Sequence, residues 1–123
     1  MNTEIVNRLE TCPTLIRVFY QKNAHHTIVD FVKSFPSPEL YLYTWADATL
    51  KELAYTIIQT ARIASVHTIS FKMLVPDLNE GGWIIKPLGI VDLTSTEPTD
   101  VVTLKDFGFR PGYLMDVAYT IAT

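Results

Sequence analysis

One cysteine, Cys12, stands in a chain of 123 residues. It can form no intramolecular disulfide, which suits a reducing compartment, the cytoplasm or nucleus. Followed by Pro13 and without an activating neighbour, it is expected to be a small buried residue. Charge is also sparse, at 19% of residues, and the net charge is −3. The ten basic residues are scattered singly, so the clustered Lys and Arg of a nucleic-acid binder are missing. No apolar run approaches the roughly 18 residues of a membrane span. The N-terminus "MNTEIVNRLE" lacks the apolar stretch of a secretory signal.

Chemistry-bearing motifs are equally scarce. There is no G-x-S-x-G, P-loop or G-x-G-x-x-G pattern. Gly81-Gly82, between Glu80 and Trp83, reads as a turn. His25-His26 is the one histidine pair; neighbours in a loop are expected to point apart, and no Cys, Asp or Glu lies at ligand spacing. His67, at a strand start, reads as a capping or surface residue and not as a general base. No catalytic, metal or cofactor-binding residue is expected, and hence no enzyme.

What is present is an orderly set of elements. "TLIRVFY" (14–20) and "LYLYTW" (40–45) are β-rich runs bounded by turn residues. The connection between them, 22–39, mixes turn residues with Ile28, Val29, Phe31, Val32 and Phe35 and is expected to be partly packed down. Leu50, Leu53, Ala54, Ile57, Ile58 and Ala61 form one apolar stripe at helical period. Thr49 with Glu52 three residues on is a capping box, which predicts a helix from about 50 to about 64. Three further strands are expected over 67–75, 82–91 and 112–121. Pro87 and Gly89 mark the second of these as an edge or bulged strand, and 92–111 reads as a crossover loop. Residues 1–10 are polar and read as an N-terminal extension, with 11–123 a single domain.

A helix with one apolar stripe must bury it against one sheet face. The order β-β-α-β-β-loop-β therefore predicts an α+β, ubiquitin-like β-grasp fold, one main helix on a mixed sheet of four or five strands. Alternation along the strands assigns the faces. Ile16, Val18 and Tyr20 point to the helix, as do Met115, Val117, Tyr119 and Ile121. Leu15, Arg17, Phe19, Leu114 and Asp116 point outward, and Arg17 is expected to meet Asp116 there. Such an outer face is either a modest apolar patch or a docking site. Base stacking by Phe19 would leave an RNA backbone with little besides Arg17 to hold it.

Three blocks, "TCPTLIRVF" (11–19), "ELYLYTWADATLKEL" (39–53) and "GYLMDVA" (112–118), resemble in order and spacing the eighteen-kilodalton Sin-three-associated polypeptide family. The resemblance covers about residues 11–121. It implies a ubiquitin-like fold, no enzymatic activity, and a non-enzymatic adaptor role in the nucleus, with cytoplasmic presence left open. The implied partners are the Sin-three histone deacetylase corepressor complex, and Acinus or pinin with a serine-rich RNA-binding protein, an assembly linked to splicing and the exon junction. There a motif peptide of Acinus or pinin joins the subunits, and any RNA contact belongs to the partner. The sequence departs from the family pattern in lacking a charged N-terminal extension and a Pro/Arg-rich C-terminal tail. "QTARIASVHT" (59–68) is short, and "GIVDLTSTEPTDVV" (89–102) is acidic where the family is basic.

Alternation also places Tyr41, Tyr43 and Trp45 opposite Leu40, Leu42 and Thr44. With Leu40 and Leu42 facing the core, the aromatics form an outward stripe, an expected anchor for a partner peptide. The expected partner-binding set is Tyr41, Tyr43, Trp45, Leu15, Arg17, Phe19, Leu114 and Asp116. The alternative is a self-associating ubiquitin-like domain with altered or lost family partners, its apolar sheet face covered by its own loops or by a second copy.

Overall fold

The computed structural model describes residues 12–32, 34–94 and 102–121. The expected N-terminal extension, 1–10, and the acidic part of the 92–111 loop lie outside these residues. The strands are β1 (Thr14–Lys22), β2 (Glu39–Thr44), β3 (Val66–Pro76), β4 (Trp83–Asp92) and β5 (Leu114–Ile121), and the helix α1 is Leu50–Ala61. They form one mixed sheet in the order β2-β1-β5-β3-β4, with β1 and β5 parallel at its centre. This is the expected α+β, ubiquitin-like arrangement of one helix on one sheet.

The helix starts where its cap predicts. Thr49 is extended, and its side chain accepts from the Glu52 N–H at 3.2 Å. Leu50, Leu53, Ala54 and Ile57 are buried against Ile16, Val18, Leu42, Ile69, Phe71, Met115 and Val117. The helix ends three residues sooner than its pattern suggests. Arg62 turns left-handed at φ 56, and the Ile58 carbonyl receives the N–H groups of both Arg62 and Ile63. These bonds close the last turn and release Ile63 and Ala64 from the helix. The described end of the expected crossover loop is well anchored. Leu104 is buried in the main core and its N–H donates to the Ala48 carbonyl.

The outer face is not bare. Residues 23–32 and 34–38 cross it as a strap that includes a 3-10 turn, Ile28–Phe31. Phe31 and Phe35 meet Phe19 edge-on, at centroid distances of 5.2 and 5.5 Å. Phe19, Phe31, Leu74 and Leu114 thereby form a second small core, flanked by Trp83 and Ile85. Cys12, expected inside, is exposed. It precedes the first residue of β1, where the chain has not yet entered the sheet.

Candidate partner-binding surface

Two expected members of the surface leave it at once. Phe19 and Leu114 point outward from the sheet as alternation requires, but the strap buries both. Alternation assigns a face; it does not say what later covers that face.

The expected pairing of Arg17 with Asp116 does not form. The parallel register sets Arg17 opposite Leu114 and Phe19 opposite Asp116, so the two charges are offset along the sheet. Arg17 instead holds Glu39 of β2, its Nε 2.6 Å from a carboxylate oxygen. That hydrogen bond holds the guanidinium pKa above its ordinary value. Arg17 also lies 4.5 Å from the Phe35 ring centroid and 5.8 Å from that of Tyr41, within cation–π reach of both.

Asp116 is 1% exposed and belongs to the strap's anchorage. Its carboxylate meets Nδ1 of His25 at 2.8 Å, Nδ1 of His26 at 2.6 Å and the His26 backbone N–H at 3.0 Å. The two histidines, expected to diverge, therefore converge on one carboxylate. A carboxylate only accepts, so each ring presents Nδ1–H, and Nε2 of His25 lies 2.8 Å from the Ser70 hydroxyl oxygen. The string Ser70–His25–Asp116 follows the donor order of a hydrolytic triad. Its surroundings differ, however. At Ser70, β3 is paired on both sides, to Ile90 and to Ala118, so the strand's amides are committed to the ladders. Among the described residues, the β3 amides beside Ser70 therefore offer no adjacent free pair to receive an oxyanion. What the string does is tie the strap to the sheet. Among the described residues, no group of three or more His, Cys, Asp or Glu is placed to hold a metal ion.

The rest of the expected stripe divides. Tyr41 and Tyr43 are 58% and 65% exposed, side by side on the outer face of β2. Across the ladder they oppose Arg17 and Leu15, and Leu15 is also exposed. Trp45 does not continue the stripe. β2 ends at Thr44, and Trp45 lines a hollow of about 110 Å³ with Ile16, Leu104, Phe109 and Pro111 at the end of the main core. Beside the tyrosines a groove of about 320 Å³ runs along the outer face, lined by Leu15, Arg17, Phe35, Trp83, Pro111 and Tyr113 among others. Phe35 and Trp83 stand edge-on at 6.1 Å. Sequence reasoning missed Phe35, Trp83 and Tyr113 as neighbours of this surface, because they meet only once the strap is laid down and β4 is added.

A surface of exposed tyrosines beside an aromatic groove is the setting for the comparison with known proteins. Residues 5–119 match the family described as Sin3 associated polypeptide p18 (SAP18). The chain belongs to the SAP18 family. It is 36% identical to the Bos taurus "Histone deacetylase complex subunit SAP18" over 120 residues, covering 94% of this chain and 78% of the relative. The Arabidopsis thaliana protein of that name is 34% identical, with 94% and 79% covered. The Drosophila melanogaster protein is 27% identical over the same shares. Membership of the SAP18 family thus extends over both the helix-side core and the strap-covered face.

Proposed function

We propose that this chain is a non-enzymatic adaptor subunit of nuclear histone deacetylase complexes. It holds partners through short peptide motifs bound at the outward tyrosines of β2. The observation that carries the reading is the adjacent, exposed pair Tyr41 and Tyr43, set beside Leu15 and the groove lined by Phe35 and Trp83. Aromatic side chains next to an apolar groove are the usual anchors of small interfaces. The relatives are named histone deacetylase complex subunits, which supports the placement in a corepressor assembly and hence in the nucleus.

On this reading the partners are the Sin-three corepressor complex, and an Acinus or pinin motif peptide together with a serine-rich RNA-binding protein. RNA contact falls to that partner, in keeping with a net charge of −3. The test is a titration with Acinus- or pinin-type motif peptides, following tryptophan fluorescence, since Trp83 lines the groove. Binding should weaken by at least about tenfold in Tyr43→Ala. Binding unaffected by Tyr41→Ala and Tyr43→Ala would remove the site from this edge. No binding to any motif peptide would sink the adaptor reading in this form.

A further inference from the structure

An open sheet has two edges, and here they are built very differently. The β4 edge carries several of the features that discourage a further strand. Pro87 has no N–H to offer, Lys86 is exposed, and Gly89 sits at φ +154 where the register with β3 shifts between Phe71 and Lys72. That shift bends the strand and spoils its ladder.

The β2 edge has none of these. Its register with β1 runs unbroken from Thr14 opposite Thr44 to Phe19 opposite Glu39. "ELYLYT" contains no proline, glycine or lysine, and its one charged residue, Glu39, is already held by Arg17. Among the described residues β2 pairs with β1 on one side only, so about half of its N–H and C=O groups face away from that ladder.

The geometry points to a second copy of this chain as the strand that completes this edge. We propose that β2 pairs antiparallel with its own counterpart about a two-fold axis at Leu42, joining two five-stranded sheets. The residue pattern selects that register. The pleat allows only same-face residues to oppose one another, and centring on Leu42 sets Tyr41 against the partner's Tyr43 and Tyr43 against the partner's Tyr41. Two aromatic cross-strand pairs form on the outer face, where both rings are now exposed. On the inner face Leu40 opposes the partner's Thr44. Centring on Tyr41 would instead set Glu39 against Tyr43. The interface is isologous, so it closes at two copies and does not propagate.

Sedimentation equilibrium over a concentration series tests the pairing. The expected result is a reversible monomer–dimer transition. Tyr43→Lys should move its midpoint at least about tenfold upward, because like charges would lie near the axis, with circular dichroism unchanged and melting unchanged in the dilute monomer. A cross-link reads the register. In a Cys12→Ser background, which removes the exposed native thiol, mixed Tyr41→Cys and Tyr43→Cys chains should form the heterodisulfide faster than either forms its own. A monomer at every concentration overturns the proposal. So does a dimer indifferent to Tyr43→Lys that forms no heterodisulfide. A monomer in the centrifuge has no bearing on whether motif peptides bind, so failure here is distinct from failure of the adaptor reading.

Discussion

Nδ1 of His26 lies 2.6 Å from a carboxylate oxygen of Asp116, a residue 90 positions later in the chain. This contact joins the strap between β1 and β2 to the central strand β5. It turns a loop that could have floated free into the cover of a second hydrophobic cluster. Removing the carboxylate strands the donors that converge on it, namely both imidazole Nδ1–H groups and one backbone N–H. Orphaned buried donors each cost about 1–3 kcal/mol, less where the strap can swing out to water. Asp116→Ala should therefore lower stability by about 2–4 kcal/mol in urea unfolding, and should open residues 23–38 to protease under native conditions. A change below about 0.5 kcal/mol with no new cleavage would show that the strap is held by its phenylalanines alone.

The contrast between Phe31 and Tyr43 tests the division of the outer face. Phe31 is 3% exposed and packs edge-on against Phe19. Phe31→Ala should cost about 3 kcal/mol, the usual loss on emptying an aromatic site. Tyr43→Ala, at an exposed position, should change stability by no more than about 0.5 kcal/mol. Equal losses at the two positions would mean that Tyr43 supports the fold and is not a free contact surface.

Local periodicity explains which parts of this fold were legible in advance. The stripe Leu50 to Ala61 and its Thr49 cap are signals within one helix, and strand alternation correctly turned Ile16, Val18, Met115 and Val117 toward it. Alternation gives the face of a strand but not its stagger. Arg17 and Asp116 accordingly share a face and yet sit opposite Leu114 and Phe19. The meeting of His25, His26 and Asp116 left no local trace at all, because it depends on where a turn-rich segment comes to rest. Trp45 shows the limit in the other direction. Its alternation argument held only while β2 continued, and β2 stops one residue short of it. Of the expected binding set, Tyr41, Tyr43, Leu15 and Arg17 do come together at one edge.

Asp30 provides a pH-dependent check on the start of the strap. Its carboxylate accepts the Thr27 backbone N–H at 2.7 Å and the Thr27 hydroxyl at 3.2 Å. The backbone bond, above all, holds its pKa below the ordinary value of 3.8. A carboxyl whose pKa is depressed by folding adds stability that is complete above its unfolded pKa and is lost as pH falls through the folded value. Asp30→Asn should leave a shallower loss of stability below about pH 4 than the parent shows. Parallel acid curves for the two proteins would show that the Thr27 bonds contribute nothing in solution.

The helix end offers a stabilising change. Arg62 adopts φ 56, a left-handed conformation in which a Cβ meets the following carbonyl oxygen at a cost of about 1–2 kcal/mol. Glycine has no Cβ and is the residue most often found where a helix closes in this way. The bonds that end α1 are made by backbone N–H groups to the Ile58 carbonyl, so they survive the substitution. The greater freedom of glycine in the unfolded chain offsets part of the relief. Arg62→Gly should accordingly gain about 0.5–1 kcal/mol in urea unfolding, with the slope unchanged. A loss of stability would mean that the Arg62 side chain contributes more to the helix end than its strained backbone costs.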